Sequence, residues 1–411
     1  MAKPVPLLVS LLALAAQPAL AQTPADAFAT GLRNVCSAAV PGTRLNRRCS
    51  EILSSPDPRA IVIAALGQRL AEIPGQARVA TRDVAQSLFS THADLGGHDL
   101  AIHFGSGDDG LLSLKANTEG GLAAPWSLYF SADVGSLERK TSRNEAAFDA
   151  RTGSVTAGID WQLGKNWQVG GAFNHVRENL DYSNSDSQAR TRFSGLLFTT
   201  SRALGDTWSG SSYYGWYRGN YQLSRDISFS LPLPSGPLNF SAEADASPYA
   251  RRRVSGISGN GQWSRRGWDL GVGLGLDKND TTIAAYEETG GNGFDLRVPG
   301  RRISTRRGRV DFTVGRTFSS AHGVFQPSLR LGWRKEFSNV RRAVSVRLVE
   351  DSRNTPITFD TEDPDRNWGE VAIGGVMTFT HGHSGFFELR QRVAHSFLQE
   401  RMLAICWRIE M

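Results

Sequence analysis

Cysteine and methionine are scarce, at three and four in 411 residues, and past its start the chain has no long hydrophobic run. A helix that crosses a bilayer needs ~20 consecutive apolar residues, so Leu7 to Ala16, the one candidate stretch, is too short. A spanning helix is excluded. The same stretch follows Lys3 and precedes Ala19-Leu20-Ala21, the order of basic residue, apolar segment and small-residue cleavage site that marks a signal peptide. Residues 1–21 are therefore expected to be removed on export, leaving a mature start near Gln22. Three cysteines are too few for a disulfide-dense scaffold. Cys36 and Cys49 lie close together in an exported chain and are expected to close a short loop, and Cys406 stands alone as a buried thiol.

Catalytic signatures are missing as well. No G-x-S-x-G or Gly-Asp-Ser-Leu occurs, which removes the common serine hydrolase motifs. Gly105 to Gly110 has the G-x-G-x-x-G spacing, but Leu112 and Leu114 alternate after it where a dinucleotide site needs a helix. His92, Asp94, His98, Asp99 and His103 crowd together without matching a standard zinc spacing. Asp360, Glu362, Asp363 and Asp365 read as a solvated acidic loop, with calcium the alternative. His381 and His383 fall in a short turn, away from the loop rim where a barrel protease needs its paired Asp and His. The expectation is a protein without cofactor or metal, and not an enzyme.

What is present is glycine, arginine and a period-two pattern. The formal charge is +6, with clusters at Arg251 to Arg253 and from Arg301 to Arg309. Export makes nucleic acid an improbable partner. In a barrel, such arginines line a wet interior, pair with carboxylates there, or meet anionic lipid head groups at the rim.

Residues 22–124 form a short N-terminal region of mixed pattern. Asp57-Pro58 followed by Ile61, Val62, Ala65, Leu66 and Leu70 predicts a helix, and Leu100, Ile102 and Phe104 before the Gly105 turn suggest a hairpin. A second helical run, over 77–92, sets Val79, Val84, Leu88 and Phe89 on one side, with Arg78, Arg82 and Gln86 among the rest. From Pro125 alternation dominates. Trp126, Leu128, Phe130, Ala132 and Val134 share one face, and Trp268, Leu270, Val272, Leu274 and Leu276 another, opposite Asp269, Gly271, Gly273, Gly275 and Asp277. Strands of ~10 residues, small and charged on one face and apolar with Trp near their ends on the other, favour a transmembrane barrel over a soluble sandwich.

The pattern predicts an all-β fold, a 12-stranded antiparallel barrel over 125–411. Strands fall near 126–137, 151–163, 167–178, 189–203, 207–219, 251–264, 267–277, 302–316, 323–337, 367–380, 384–394 and 400–411. Long polar connections alternate with short turns, one of them read as Arg265-Arg266. Residues 343–359 alternate weakly and are assigned to an extension of a long loop, since a thirteenth strand would break the up-down parity. The last strand, with Leu403, Ile405, Trp407, Ile409 and Met411 on one face, must close on the first, because lipid leaves no backbone group unpaired.

Residues from about 120 to 411 resemble the autotransporter β-domain, the translocator barrel of type V secretion. The resemblance rests on TGSVTAGIDWQLGKNWQVGGAF from Thr152, YEETG at Tyr286 with FDLRVPGRR after it, and FQPSLRLGWRKEF from Phe325. It continues through DTEDPDRNW from Asp360 and GHSGFFELRQRV ending at Val393. It implies a twelve-stranded outer-membrane barrel that anchors, translocates or displays an N-terminal passenger, with a helix threaded through its lumen. The run over 77–92 is the plug candidate, Arg78, Arg82 and Gln86 facing inward carboxylates such as Asp160, Asp269 and Asp277. Implied partners are outer-membrane lipid and lipopolysaccharide and the barrel assembly machinery, for a monomer. Two features depart from the family. The chain ends in Met411 instead of Phe or Trp, and only about 100 residues precede the barrel, without β-helix repeats. A diffusion channel is the competing reading.

Overall fold

The computed structural model describes residues 24–54 and 126–410, apart from 143, 165, 184, 234–235, 322, 339–342, 362–364 and 380–382. The signal peptide, the 77–92 helix with Arg78, Arg82 and Gln86, the 100–114 hairpin, the His92 cluster and Met411 lie outside the described residues.

Two helices come first, α1 (Pro24–Cys36) and α2 (Arg44–Leu53). The strands are β1 (Trp126–Arg139), β2 (Phe148–Leu163), β3 (Trp167–Tyr182), β4 (Gln188–Leu204), β5 (Trp208–Leu233), β6 (Gly236–Ala246), β7 (Tyr249–Arg265), β8 (Trp268–Ile283) and β9 (Tyr286–Glu287). They continue as β10 (Leu296–Val298), β11 (Arg301–Arg316), β12 (Phe318–Ser320), β13 (Gly323–Glu336), β14 (Ala343–Leu348), β15 (Ile357–Asp360), β16 (Asn367–Phe379), β17 (His383–Val393) and β18 (Leu398–Glu410).

Twelve of them close an antiparallel barrel, each pairing with its chain neighbours and β1 with β18, as the alternation predicts. The seam runs from Ser127 opposite Glu410 to Arg139 opposite Leu398. Closure follows from the solvent. With no free edge among these strands, every ladder group has a partner, the condition for a sheet in hydrocarbon. Leu403, Ile405 and Trp407 on β18 are exposed on the outside beside Ile409, while Met402, Ala404 and Cys406 point inward and are buried. Cys406 is a free, buried thiol.

The outer wall carries the apolar set. Phe130, Val155, Ile159, Phe173, Leu196, Ile257, Leu274, Phe312 and Ile373 are all exposed there. Trp126, Trp161, Trp167, Trp208, Trp263, Trp268 and Trp407 ring the short-turn end, the place of an interfacial girdle. Inside, glycines make room for aromatic rings. Tyr129 lies across Gly158 of β2, where a Cβ would collide with its ring.

Short turns use left-handed residues, Gly164 (φ 68°) and Gly205 (φ 77°) among them. The turn read as Arg265-Arg266 is Arg266-Gly267 instead, at φ 53° and 79°. Both central residues at positive φ define the type I′ geometry that matches strand twist, and glycine takes the second place at least cost.

The larger correction concerns the long connections. Those over 220–250 and 278–301 are not polar loops; they carry sheet. β5 runs on to pair with β6 as a projecting hairpin, β8 reaches Ile283, and β9 and β10 join β14 and β15 in a separate four-stranded sheet. The 343–359 segment is the β14–β15 hairpin outside the barrel, as expected. Alternation explains β5: Leu223, Ile227 and Phe229 are buried, and Ser224, Ser228 and Ser230 are not.

Candidate functional site: the lumen and the cap at its long-loop end

The lumen has two unlike walls. One, from β11, β13, β16 and β17, is a ladder of ion pairs. Arg330 donates to Glu388 through Nε at 3.2 Å and Nη2 at 2.6 Å. Arg334 reaches Asp311 and Glu370, each at 2.7 Å. All five side chains are at most one-tenth exposed, so each charge depends on its partners instead of on water. The other wall turns apolar toward the long-loop end. Phe148 meets Tyr182 and Phe193 meets Tyr221 edge to face, and buried Arg252 stacks on Phe193 at 4.6 Å. Period two places these side chains inside, and their apolar character departs from the wet, polar inner face seen lower down.

Above the lumen sits a cap built from two distant parts of the chain. In α1, Phe28, Leu32 and Val35 recur at helical spacing and are buried; in α2, Leu45, Cys49 and Ile52 do the same. α2 starts where Gly42 turns at φ 84° and the Thr43 hydroxyl accepts the Asn46 N–H at 3.1 Å. A disulfide joins Cys36, the last residue of α1, to Cys49. Helices this short are marginal alone in water, so their order depends on that link and on what they cover.

They cover the projecting sheets. The helical side chains share one core with Ile227, Phe229, Phe240 and Ala244 of the β5–β6 hairpin, Phe294 and Leu296 of the β10 arm, and Val346, Leu348, Ile357 and Phe359 of β14 and β15. Phe229 stacks on Phe240 at 4.8 Å, and Phe294 meets both edge-on. Five large helical side chains are buried, and at ~1.5–3 kcal/mol each they contribute on the order of 10 kcal/mol before ordering entropy is subtracted. Polar contacts fix the register. Glu350 accepts from the Leu45 N–H at 2.7 Å and from Arg44 Nε at 2.9 Å, and Arg48 lies over the Phe240 ring at 4.8 Å. Burial works to raise the Glu350 carboxyl, but the Leu45 and Arg44 bonds outweigh it and hold the group below the ordinary carboxylate value.

The segment YEETG anchors this platform. Glu288 accepts Arg225 Nε at 3.1 Å and the Leu296 N–H at 2.9 Å, while Arg225 also donates to the Phe294 carbonyl at 2.9 Å. Thr289 bridges to Asp245 of β6. The hairpin and the separate sheet are thus tied together beneath the helices.

A family model, the autotransporter β-domain, matches residues 128–390. The chain belongs to the autotransporter β-domain family. Among solved structures it is similar to the translocator domain of the autotransporter NalP from Neisseria meningitidis, at 15% identity and TM-score 0.55, over 80% of this chain and 99% of that one. It is also similar to the β-domain of the Bordetella autotransporter BrkA, at 13% identity and TM-score 0.51, over 70% and 100%. These likenesses speak for the fold. No curated protein matches the sequence.

Within this autotransporter barrel, the inward carboxylates read from the sequence do face the lumen. Asp160 lies 3.7 Å from Arg408, Tyr213 donates to Asp277 at 3.2 Å, and Asp269 accepts Gln326 Nε2 at 2.7 Å. Asp365 of the acidic loop accepts the Ser396 hydroxyl at 3.0 Å and faces His395 Nδ1 at 3.1 Å, which ties two loops. Among the described residues no group of His, Cys, Asp or Glu is arranged to hold a metal. The autotransporter cap is the part that sequence reading missed. Its signals were there, in the Phe28, Leu32, Val35 spacing and the Gly42-Thr43 start, but pairing them with loops some 200 to 300 residues away needed the fold.

Proposed function

We propose that this outer-membrane barrel is a translocator whose passenger is its own N-terminal helical pair, held at the cell surface on the barrel's long loops. One observation carries the reading. The helical pair ends at Ser54 on the long-loop end, whereas β1 begins with Trp126 opposite Trp161, beside the short Gly164 turn at the other end. The helical pair and the start of the barrel therefore lie at opposite ends of the cylinder, the arrangement expected of an N-terminal passenger displayed by its own barrel.

Outer-membrane barrels keep short turns in the periplasm and long loops outside, which puts the cap on the surface and both chain ends of the barrel inside. A signal peptide over 1–21 and delivery to the barrel assembly machinery precede this arrangement. A sheet without an edge is complete as a monomer, and the role proposed is anchoring and display without catalysis. The test is an epitope inserted after Gln22 in cells expressing the full chain. Antibody should label intact cells, and shaving with protease should remove the signal. Labelling only after the outer membrane is permeabilised would refute the surface location.

A further inference from the structure

We propose that the outer wall of β3, β4, β5 and β7 holds the phosphates of an outer-leaflet glycolipid, a lipid A-type disaccharide. This goes beyond the display reading and uses none of the cap residues. On these strands the outward apolar positions give way, toward the long-loop end, to Arg177, Arg190, Arg192, Arg218 and Arg251, all exposed. Register puts like charges face to face: Arg177 opposite Arg192 on β3 and β4, and Arg218 opposite Arg251 on β5 and β7. Directly opposed side chains on one face of a sheet sit ~5 Å apart at Cβ, and equal charges there repel. Among the described residues none of the five has a carboxylate within ion-pair distance; Arg190 bonds Gln188 at 3.0 Å, and Arg251 lies over Tyr249 at 5.6 Å. The nearby carboxylate of Asp280 is taken by Lys278 and Arg302, each at 3.0 Å. An external anion is what the row lacks.

Height and sidedness select its source. Phe173, Leu196, Phe198 and Trp216 face outward below the row, with the His175–Ser194 pair between Phe173 and Leu196 and the arginines above them. From Arg202 at the short-turn end to Arg192, the strand rises about 25 Å at a typical tilt, the height of an outer-membrane apolar band. The row is therefore at head-group level, where a glycolipid presents two phosphates above its acyl chains. Planar guanidinium groups bind phosphate in bidentate fashion, and neighbouring arginines can share one. Elsewhere the outer wall is mixed: Lys278 lies opposite Arg306 but holds Asp280, Lys335 lies opposite Asn367, and Gln391, Arg401 and Glu138 follow, so among the described residues the opposed arginine pairs without a carboxylate belong to this side.

Full-length protein in detergent, titrated with diphosphorylated lipid A and followed by native mass spectrometry, tests this. Wild type should retain the lipid and bind the same lipid stripped of its phosphates at least about tenfold more weakly. The variant Arg177→Gln/Arg192→Gln/Arg218→Gln/Arg251→Gln should lose about 100-fold, one or two tenfold steps per phosphate, while keeping its heat-modifiable gel shift. Arg202→Gln/Arg265→Gln/Arg316→Gln at the short-turn end should bind as wild type does. Equal binding of the phosphate-free lipid overturns the proposal even if the quadruple variant fails to fold. Undiminished binding by a folded quadruple variant does the same, and inorganic pyrophosphate binding as tightly as the lipid would make this a free-anion site.

Discussion

At the scale of single residues, the barrel interior shows how far polar groups depend on one another. Arg334 stands between Asp311 and Glu370 at 2.7 Å from each, all three nearly dry. Removing it takes away the nearest cation of both carboxylates, leaving Asp311 with Arg330 at 3.5 Å, and breaking a buried pair in this way costs up to about 3–5 kcal/mol. Arg334→Ala should therefore lower the temperature at which the folded band disappears from a semi-native gel, and Arg334→Ala/Glu370→Gln/Asp311→Asn should recover part of the loss. Glu350 offers a titration instead. Its carboxyl is held below the ordinary value of about 4.3, so the stability it gives the cap is complete above that pH and is lost as pH falls through the folded-state value. Protease protection of the helical pair should weaken below about pH 4 in wild type. Glu350→Gln should be less protected at neutral pH and show a flatter acid response.

Elements explain why the cap is held by the barrel instead of folding by itself. α1 and α2 present apolar faces too small for a core of their own, and the β5–β6 hairpin and β14–β15 present the complement. The disulfide closes a loop of 13 residues, worth about 3 kcal/mol in the chain-entropy account. In Cys36→Ser/Cys49→Ser the helices should become protease-sensitive while the barrel still migrates as a folded species on unboiled gels. Loss of both together would mean that the cap is required for barrel assembly. Sequence periodicity reached only part of this level. The barrel strands were readable because lipid enforces alternation on every one of them. The β5 extension and β6 were hidden within a connection that looked polar, since Ser228 and Ser230 of β5 alternate with the buried Ile227 and Phe229, and Asn239, Ser241 and Glu243 of β6 with the buried Phe240 and Ala244.

On the scale of the whole molecule, the seam between β1 and β18 decides whether a membrane protein exists at all. Ile405 pairs with Ala132 on one side and Phe387 on the other, in mid-strand. Proline there removes a ladder donor inside the hydrocarbon, where an unpaired backbone group costs several kcal/mol. Ile405→Pro should abolish the heat-modifiable form, whereas Ile405→Val should leave it intact. The same closure separates the two ends of the cylinder, which is why the position of the helical cap bears on the proposed display.

By itself the sequence determined the all-β class, the twelve strands and their faces, and the closing role of Leu403, Ile405 and Trp407, because a two-residue period against lipid is a local rule that each strand obeys separately. The YEETG and FDLRVPGRR motifs were legible as family marks but mute about their task. Only the tertiary structure decided that Glu288 ties the loop sheets together, that Phe28, Leu32 and Leu45 are buried on them, and that Arg177 faces Arg192 and Arg218 faces Arg251. Those are contacts between segments far apart in the chain. Their partners are chosen by barrel register and by which end of the cylinder each loop occupies, and no local periodicity records either.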